Sequence, residues 1–132
     1  MTPPPRTILV CDDDGDIVDM TRLVLEGGGY RVIPCRSGSE ALQAVERARP
    51  DLILLDINMP DMDGWQVLKV LKVDERTTTI PVAMFSIRMD VRAKLLGLQE
   101  GAYDYITKPF SCDELLGRVS RIFQNLERRV DG

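Results

Sequence analysis

The residues best equipped for chemistry are acids, one lysine and one serine. Asp12, Asp13 and Asp14 stand together directly after the apolar run Thr7–Cys11. Asp56 ends the run DLILLD, Ser86 follows IPVAMF, and Lys108 stands just beyond YDYI. Carboxylates gathered in a small space repel one another and need a cation to ionise together. Magnesium suits such a group, because it takes hard oxygen ligands in octahedral geometry and keeps some of its water. An ammonium and a hydroxyl nearby can bind phosphoryl oxygens. An aspartate between metal and lysine is then a nucleophile toward phosphorus, forming an acyl phosphate. The chain has no histidine, which removes the Ser-His-Asp triad, the Cys-His pair and the commonest zinc ligand.

These groups meet only if the chain folds to bring them together. Apolar periodicity alternates between strand-like and helix-like segments. Short apolar runs at 7–11, 30–35, 51–56, 80–85 and 103–106 read as strands. Helical spacing marks 16–26, ended by Gly27-Gly28-Gly29, and 38–49, opened by Ser37-x-x-Glu40 and closed by Pro50. It also marks 65–72, 91–99 and a long segment opened by Ser111-x-x-Glu114. Pro34 places the second strand at a sheet edge. Five strands alternating with five helices predict a parallel sheet covered on both faces. In such sheets ligands sit at the carboxyl ends of the strands, and every group named above is placed there.

Composition narrows the field. At ~150 residues per domain, 132 residues make about one domain. Apolar residues at 44% can supply a core. The 17 basic and 21 acidic residues leave a formal net charge of −4, which argues against a domain that binds nucleic acid directly. No apolar run approaches the ~20 residues of a membrane span, and the Pro-rich N-terminus is no signal peptide. Cys11, Cys35 and Cys112 are odd in number without a CxxC spacing, so they read as small buried residues in a reducing cytoplasm. Residues 1–6 read as a short tail, 7–129 as the domain, and 130–132 as a tail or the start of a linker.

The stretches ILVCDDDGDI, PDLILLDINMPDMDGW, IPVAMFS and GAYDYITKPF, in this order and spacing, resemble the receiver domain of two-component response regulators over roughly residues 6–126. The resemblance implies a flavodoxin-like (βα)5 three-layer sandwich with a parallel sheet in order 2-1-3-4-5. It implies that Asp56 is the phospho-acceptor and that Asp13, with Asp12, Asp56 and the Asn58 carbonyl, binds Mg2+, with Mn2+ as a substitute. It assigns Ser86 and Lys108 to phosphoryl oxygens, Tyr105 and Ser86 to the switch, and a cis peptide to Lys108–Pro109. The implied donor is a sensor histidine kinase or phosphotransfer protein. The implied output surface comprises the fourth helix, fifth strand and fifth helix. A likeness to receivers of winged-helix transcription regulators adds a homodimer surface carrying Lys94, Asp104, Glu114 and Arg118. Tyr103 and Asn125 depart from that charged set. Ile87 stands where the family has a small residue, and Arg88 occupies a variable position beside the site, so phosphoryl lifetime is expected to be altered.

Plainer readings compete. Asp12 to Asp14 could be a helix cap with first-turn acids, and Asp14 is best read so. The Asp12-x-Asp14-x-Asp16 run mimics a calcium loop but lacks the glycine and the closing glutamate, having Ile17 and Leu23. Asp61 and Asp63 read as loop and cap residues, Gly64 as turn geometry, and Trp65 as surface or helix packing. Two other functions remain. One is a receiver-like module that binds partners without phosphorylation. The other is a magnesium-dependent aspartyl phosphohydrolase, which the residue pattern after the first strand does not favour.

Overall fold

The computed structural model describes residues 4–86, 95 and 98–131. The strands are β1 (Thr7–Cys11), β2 (Arg31–Cys35), β3 (Leu52–Asp56), β4 (Val82–Ser86) and β5 (Asp104–Thr107). The helices are α1 (Gly15–Gly27), α2 (Gly38–Ala48), α3 (Gly64–Val73) and α4 (Cys112–Asp131). All strand pairs are parallel, in order β2-β1-β3-β4-β5. The helix expected over 91–99 lies outside the described residues except for Leu95, Leu98 and Gln99, which are helical.

Strand alternation sorts the core into two layers. Ile8, Val10, Leu52, Leu54, Ala83, Phe85 and Ile106 face one way, onto Leu25 of α1 and Leu115, Val119, Ile122 and Phe123 of α4. Leu9, Cys11, Ile53, Leu55, Val82 and Met84 face the other, onto Ala41 and Val45 of α2 and Val67, Leu68 and Leu71 of α3. Each fully buried Leu or Ile contributes roughly 1.5–3 kcal/mol, and the three central strands are closed on both faces. β2 departs from the expectation of full burial: Arg31 and Pro34 are exposed, and Val32 and Ile33 are half-buried. It has one strand neighbour, and Pro34 offers no N–H to a second.

Several boundaries moved for local reasons. β4 begins at Val82 rather than at residue 80, because Pro81 lacks an N–H and the Ile80 N–H bonds to the Thr77 carbonyl in a turn. β5 is shifted one residue toward the C-terminus. The Ser37 box is half formed. Ser37 accepts from the Glu40 N–H, but the Glu40 carboxylate accepts from Arg36 rather than Ser37. The Ser111–Glu114 box is complete. So is one not expected, Asp63–Gln66 at the start of α3. Lys108–Pro109 is cis.

Candidate functional site

The sheet order reverses between β1 and β3, and ligands collect at such a reversal. Cys11 and Leu55 are register partners there. The next residues, Asp12 and Asp56, are therefore neighbours across the crevice at the strand ends. Both are buried, 1% and 5% exposed, whereas Asp13 is exposed. Oxygens of Asp12, Asp13 and Asp56 lie within 4.8 Å of one another.

Lys108 reaches in from beyond β5. Its Nζ donates to Asp12 Oδ2 at 2.5 Å and to Asp56 Oδ1 at 3.2 Å. The ammonium also lies 5.9 Å from the centre of the Phe85 ring, which stacks on Phe110. The other Asp12 oxygen, Oδ1, accepts from the Asp14 N–H at 3.0 Å. Asp14 itself is the N-cap of α1, accepting from Asp16 and Ile17.

Burial pushes the Asp56 carboxyl above the usual carboxylate range. Lys108 opposes that rise, and the charges of Asp12 and Asp13 add to it. For Lys108, burial alone would lower the ammonium. The hydrogen bond and charge of Asp12, with Asp56 behind, outweigh burial and hold it above its ordinary value. When ionised, three carboxylates and one ammonium leave two negative charges unbalanced. A divalent cation with oxygen preference fits that donor set. Residues Asp12, Asp13 and Asp56 therefore suit the metal that their spacing suggested.

Residues 8–120 match the response regulator receiver domain family. The chain belongs to this family. The DNA-binding response regulator MtrA of Mycolicibacterium paratuberculosis is 43% identical over 114 residues, covering 86% of this chain and 49% of the relative. The alkaline phosphatase synthesis transcriptional regulatory protein PhoP of Bacillus subtilis is 41% identical over 122 residues, covering 92% and 50%. The chain thus spans about half the length of the curated relatives it matches. A crystal structure of a response regulator from Chloroflexus aurantiacus superposes with a TM-score of 0.84 at 40% identity, covering 89% of this chain and 97% of that one. Chemotaxis response regulator CheY4 of Vibrio cholerae gives 0.85 at 30% identity, covering 89% and 98%. The flavodoxin-like fold follows from both. Receivers are signalling switches of two-component systems rather than enzymes. No helix among the described residues is long and apolar enough to cross a membrane.

The remaining groups of this receiver fall into three sets. Ser86 closes β4, with its side chain outside the described residues, as are Ile87, Arg88 and Lys94. Asn58 is exposed, two residues past Asp56, and Tyr105 is 4% exposed in the α2–α3 layer. Of the charged set considered for a dimer, Arg118 pairs with Asp104 in the same chain through two bonds of 2.6 and 3.1 Å, and also donates to the Tyr105 carbonyl. Glu114 serves the α4 capping box. Asp104, Glu114 and Arg118 thus already have intramolecular partners.

Three residues gained importance only from the structure. Gly64 is needed for close approach rather than turn geometry, since a Cβ there would lie 2.4 Å from the Asp56 carbonyl oxygen. Asp61 accepts from the Gly38 and Ser39 N–H groups and the Ser39 hydroxyl, tying the β3–α3 loop to the N-terminus of α2. Arg36 donates to the Asp13 carbonyl. From the sequence Asp63 reads only as a loop or cap residue, although its spacing to Gln66 is a local signal for the box; the Arg36 and Asp61 contacts, across 23 and 22–23 residues, leave none.

Proposed function

We propose that this receiver takes a phosphoryl group onto Asp56 from a phosphohistidine of a sensor kinase or phosphotransfer protein, or from a small acyl phosphate. The observation that carries the reading is the convergence of Asp12, Asp13, Asp56 and Lys108 at the sheet's reversal point. A carboxylate oxygen of Asp56 attacks phosphorus, the donor's bond to phosphorus breaks, and the donor leaves with that electron pair. Lys108 exchanges its Asp56 contact for a phosphoryl oxygen while keeping Asp12. Ser86 is assigned another phosphoryl oxygen. Asp12, Asp13, Asp56 and the Asn58 carbonyl would hold Mg2+, or Mn2+ in its place. The ion would neutralise charge on the transferring group. In this way the domain assists its own phosphorylation and dephosphorylation.

The phosphoryl group adds about −1.5 to −2 charge, which biases a bistable element. Ser86 moves toward it, and the surface carried by residues 91–99, β5 and α4 changes. Tyr105 is buried in this structure, the arrangement the reading assigns to the switched state. The Asp104–Arg118 pair would have to re-pair for a dimer to form there. We place the domain in the cytoplasm. Because relatives are named as DNA-binding or transcriptional regulators, its output is assigned to transcription through a partner or further domain.

Incubation with magnesium and a small phosphodonor should add the mass of one phosphoryl group, and Asp56→Asn should add none. Equal labelling of the variant removes Asp56 as acceptor. No labelling of the wild-type chain favours a module that works through binding alone.

A further inference from the structure

Arg36 has no part in the reaction above, yet its side chain crosses from the turn after β2 to the loop after β1. Nε and Nη2 both donate to the Asp13 carbonyl, at 3.2 and 2.9 Å. The guanidinium rests on Gly15, where a Cβ would lie 2.7 Å from Nη1 and 3.0 Å from Cζ. Loop and arginine are thus shaped to each other.

The three acids are held differently. Asp12 is fixed by its own carboxylate, between Lys108 and the Asp14 N–H. Asp56 is fixed by its strand and Lys108. The Asp13 carboxylate is exposed and accepts no hydrogen bond among the described residues. Its place in the trio is therefore set by its backbone. That backbone runs between the Asp12 N–H, bonded to the Cys35 carbonyl at 3.1 Å, and the Asp14 cap of α1. Among the described residues, the one side chain holding the carbonyl between them is Arg36. A planar guanidinium donating twice to one oxygen fixes its direction in a way that a freely turning ammonium does not.

We propose that Arg36 is a positioning residue for the divalent-cation site. By gripping the Asp13 carbonyl it keeps the Asp13 carboxylate beside Asp12 and Asp56, without touching cation or phosphoryl group itself. The inference rests on the metal reading above. The rival role is that of a bare positive charge near the acids, which would repel the cation. The two roles predict opposite signs. Loss of a repelling charge tightens cation binding, and loss of a positioning contact weakens it.

Calorimetric titration of Mg2+ into the metal-free, unphosphorylated chain decides between them without any turnover. Partners that orient a metal ligand are worth 10–100-fold in affinity, and Arg36→Ala is expected to weaken binding about tenfold. Arg36→Lys keeps the charge but loses the fork, and should fall with Arg36→Ala rather than with wild type. Gly15→Ala should weaken binding similarly by displacing the guanidinium. In the Arg36→Ala background it should add little, so the double-mutant cycle is non-additive. Unchanged or tighter binding in Arg36→Ala, or additive effects of the two substitutions, overturns the positioning role. A wild-type chain that shows no saturable Mg2+ binding instead overturns the metal reading on which it rests.

Discussion

The loops after β1 and β3 do the same task in different ways. Each leaves a buried strand, carries an acid into the crevice and enters a helix through an aspartate N-cap, Asp14 or Asp63. The first is short and held by charge: Asp12 on Lys108, and Arg36 on the Asp13 carbonyl. The second is longer and held at the crevice by fit, Gly64 against the Asp56 carbonyl, with its charged tie, Asp61, placed away from the acids on the N-terminus of α2. A loop held by charge responds when a cation or phosphoryl group arrives. A loop held by fit keeps the acceptor still while that happens.

Breaking the charge side should cost most. Lys108→Ala leaves Asp12 and Asp56 buried without a cation. Removing one member of a buried ionic group costs on the order of 3 kcal/mol. Urea unfolding in chelator should show that loss, and millimolar Mg2+ should recover part of it by mass action. If Mg2+ recovers nothing, Lys108 serves packing against Phe85 rather than charge balance.

On the fit side, Gly64→Ala should cost roughly 2 kcal/mol, in the range for overpacked sites. The colliding atom is backbone, the Asp56 carbonyl oxygen, with the Ile57 Cα 2.9 Å away, so no side chain can swing aside. Here Mg2+ should not compensate, because the injury is steric. A salt-independent loss for Gly64→Ala beside a Mg2+-responsive loss for Lys108→Ala is the sharpest form of the contrast.

Asp61 gives the next effect, with a pH signature. Hydrogen bonds from Ser39 and Gly38 hold its carboxyl well below the ordinary range. A depressed folded value means that its contribution is present above the unfolded value near 3.8 and is lost as pH falls through the folded one. Asp61→Asn should lower Tm by a few degrees at neutral pH, and the difference from wild type should shrink in strong acid. A difference that persists unchanged below pH ~2 would mean that the loop is tied to α2 by something other than this carboxylate.

Much of this arrangement could be read from the chain because its signals are local. DLILLD shows a strand buried on both faces, and TILVC followed by three acids shows where a strand stops. A parallel sheet then sends Asp12, Asp56 and Lys108 to one rim. What could not be read lies in contacts between segments distant in sequence. Nothing near Arg36 announces that it will grip Asp13, and nothing near Asp61 announces α2. Gly64 looks like any turn glycine until α3 is seen pressed against the end of β3. The missing half of the Ser37 box has a different, local origin, since the N–H that Glu40 accepts from is only four residues back. Glu40 accepts from the Arg36 N–H, and spacing alone does not choose between Arg36 and Ser37.

The two caps make the smallest and finest test. Asp14 accepts from two helix N–H groups, the contact to Ile17 being long at 3.4 Å. Asp63 accepts from the Gln66 N–H at 2.9 Å, and Gln66 Oε1 returns the contact by accepting from the Asp63 N–H at 2.9 Å. The second cap is therefore reciprocal within one box, whereas the first relies on Asp12, outside the helix, for the cap's own N–H. Asp63→Ala should cost about 1 kcal/mol by denaturant midpoint. Asp14→Ala should cost less, because its contact to Ile17 is long and Ile17, at the box position, has no polar group to return a bond to the cap. Gln66→Ala should remove part of the Asp63 effect, and the two should couple in a double-mutant cycle. If Asp14→Ala costs as much as Asp63→Ala, the first loop is held by its fit to α1 as firmly as the second is to α3, and charge is not what distinguishes them.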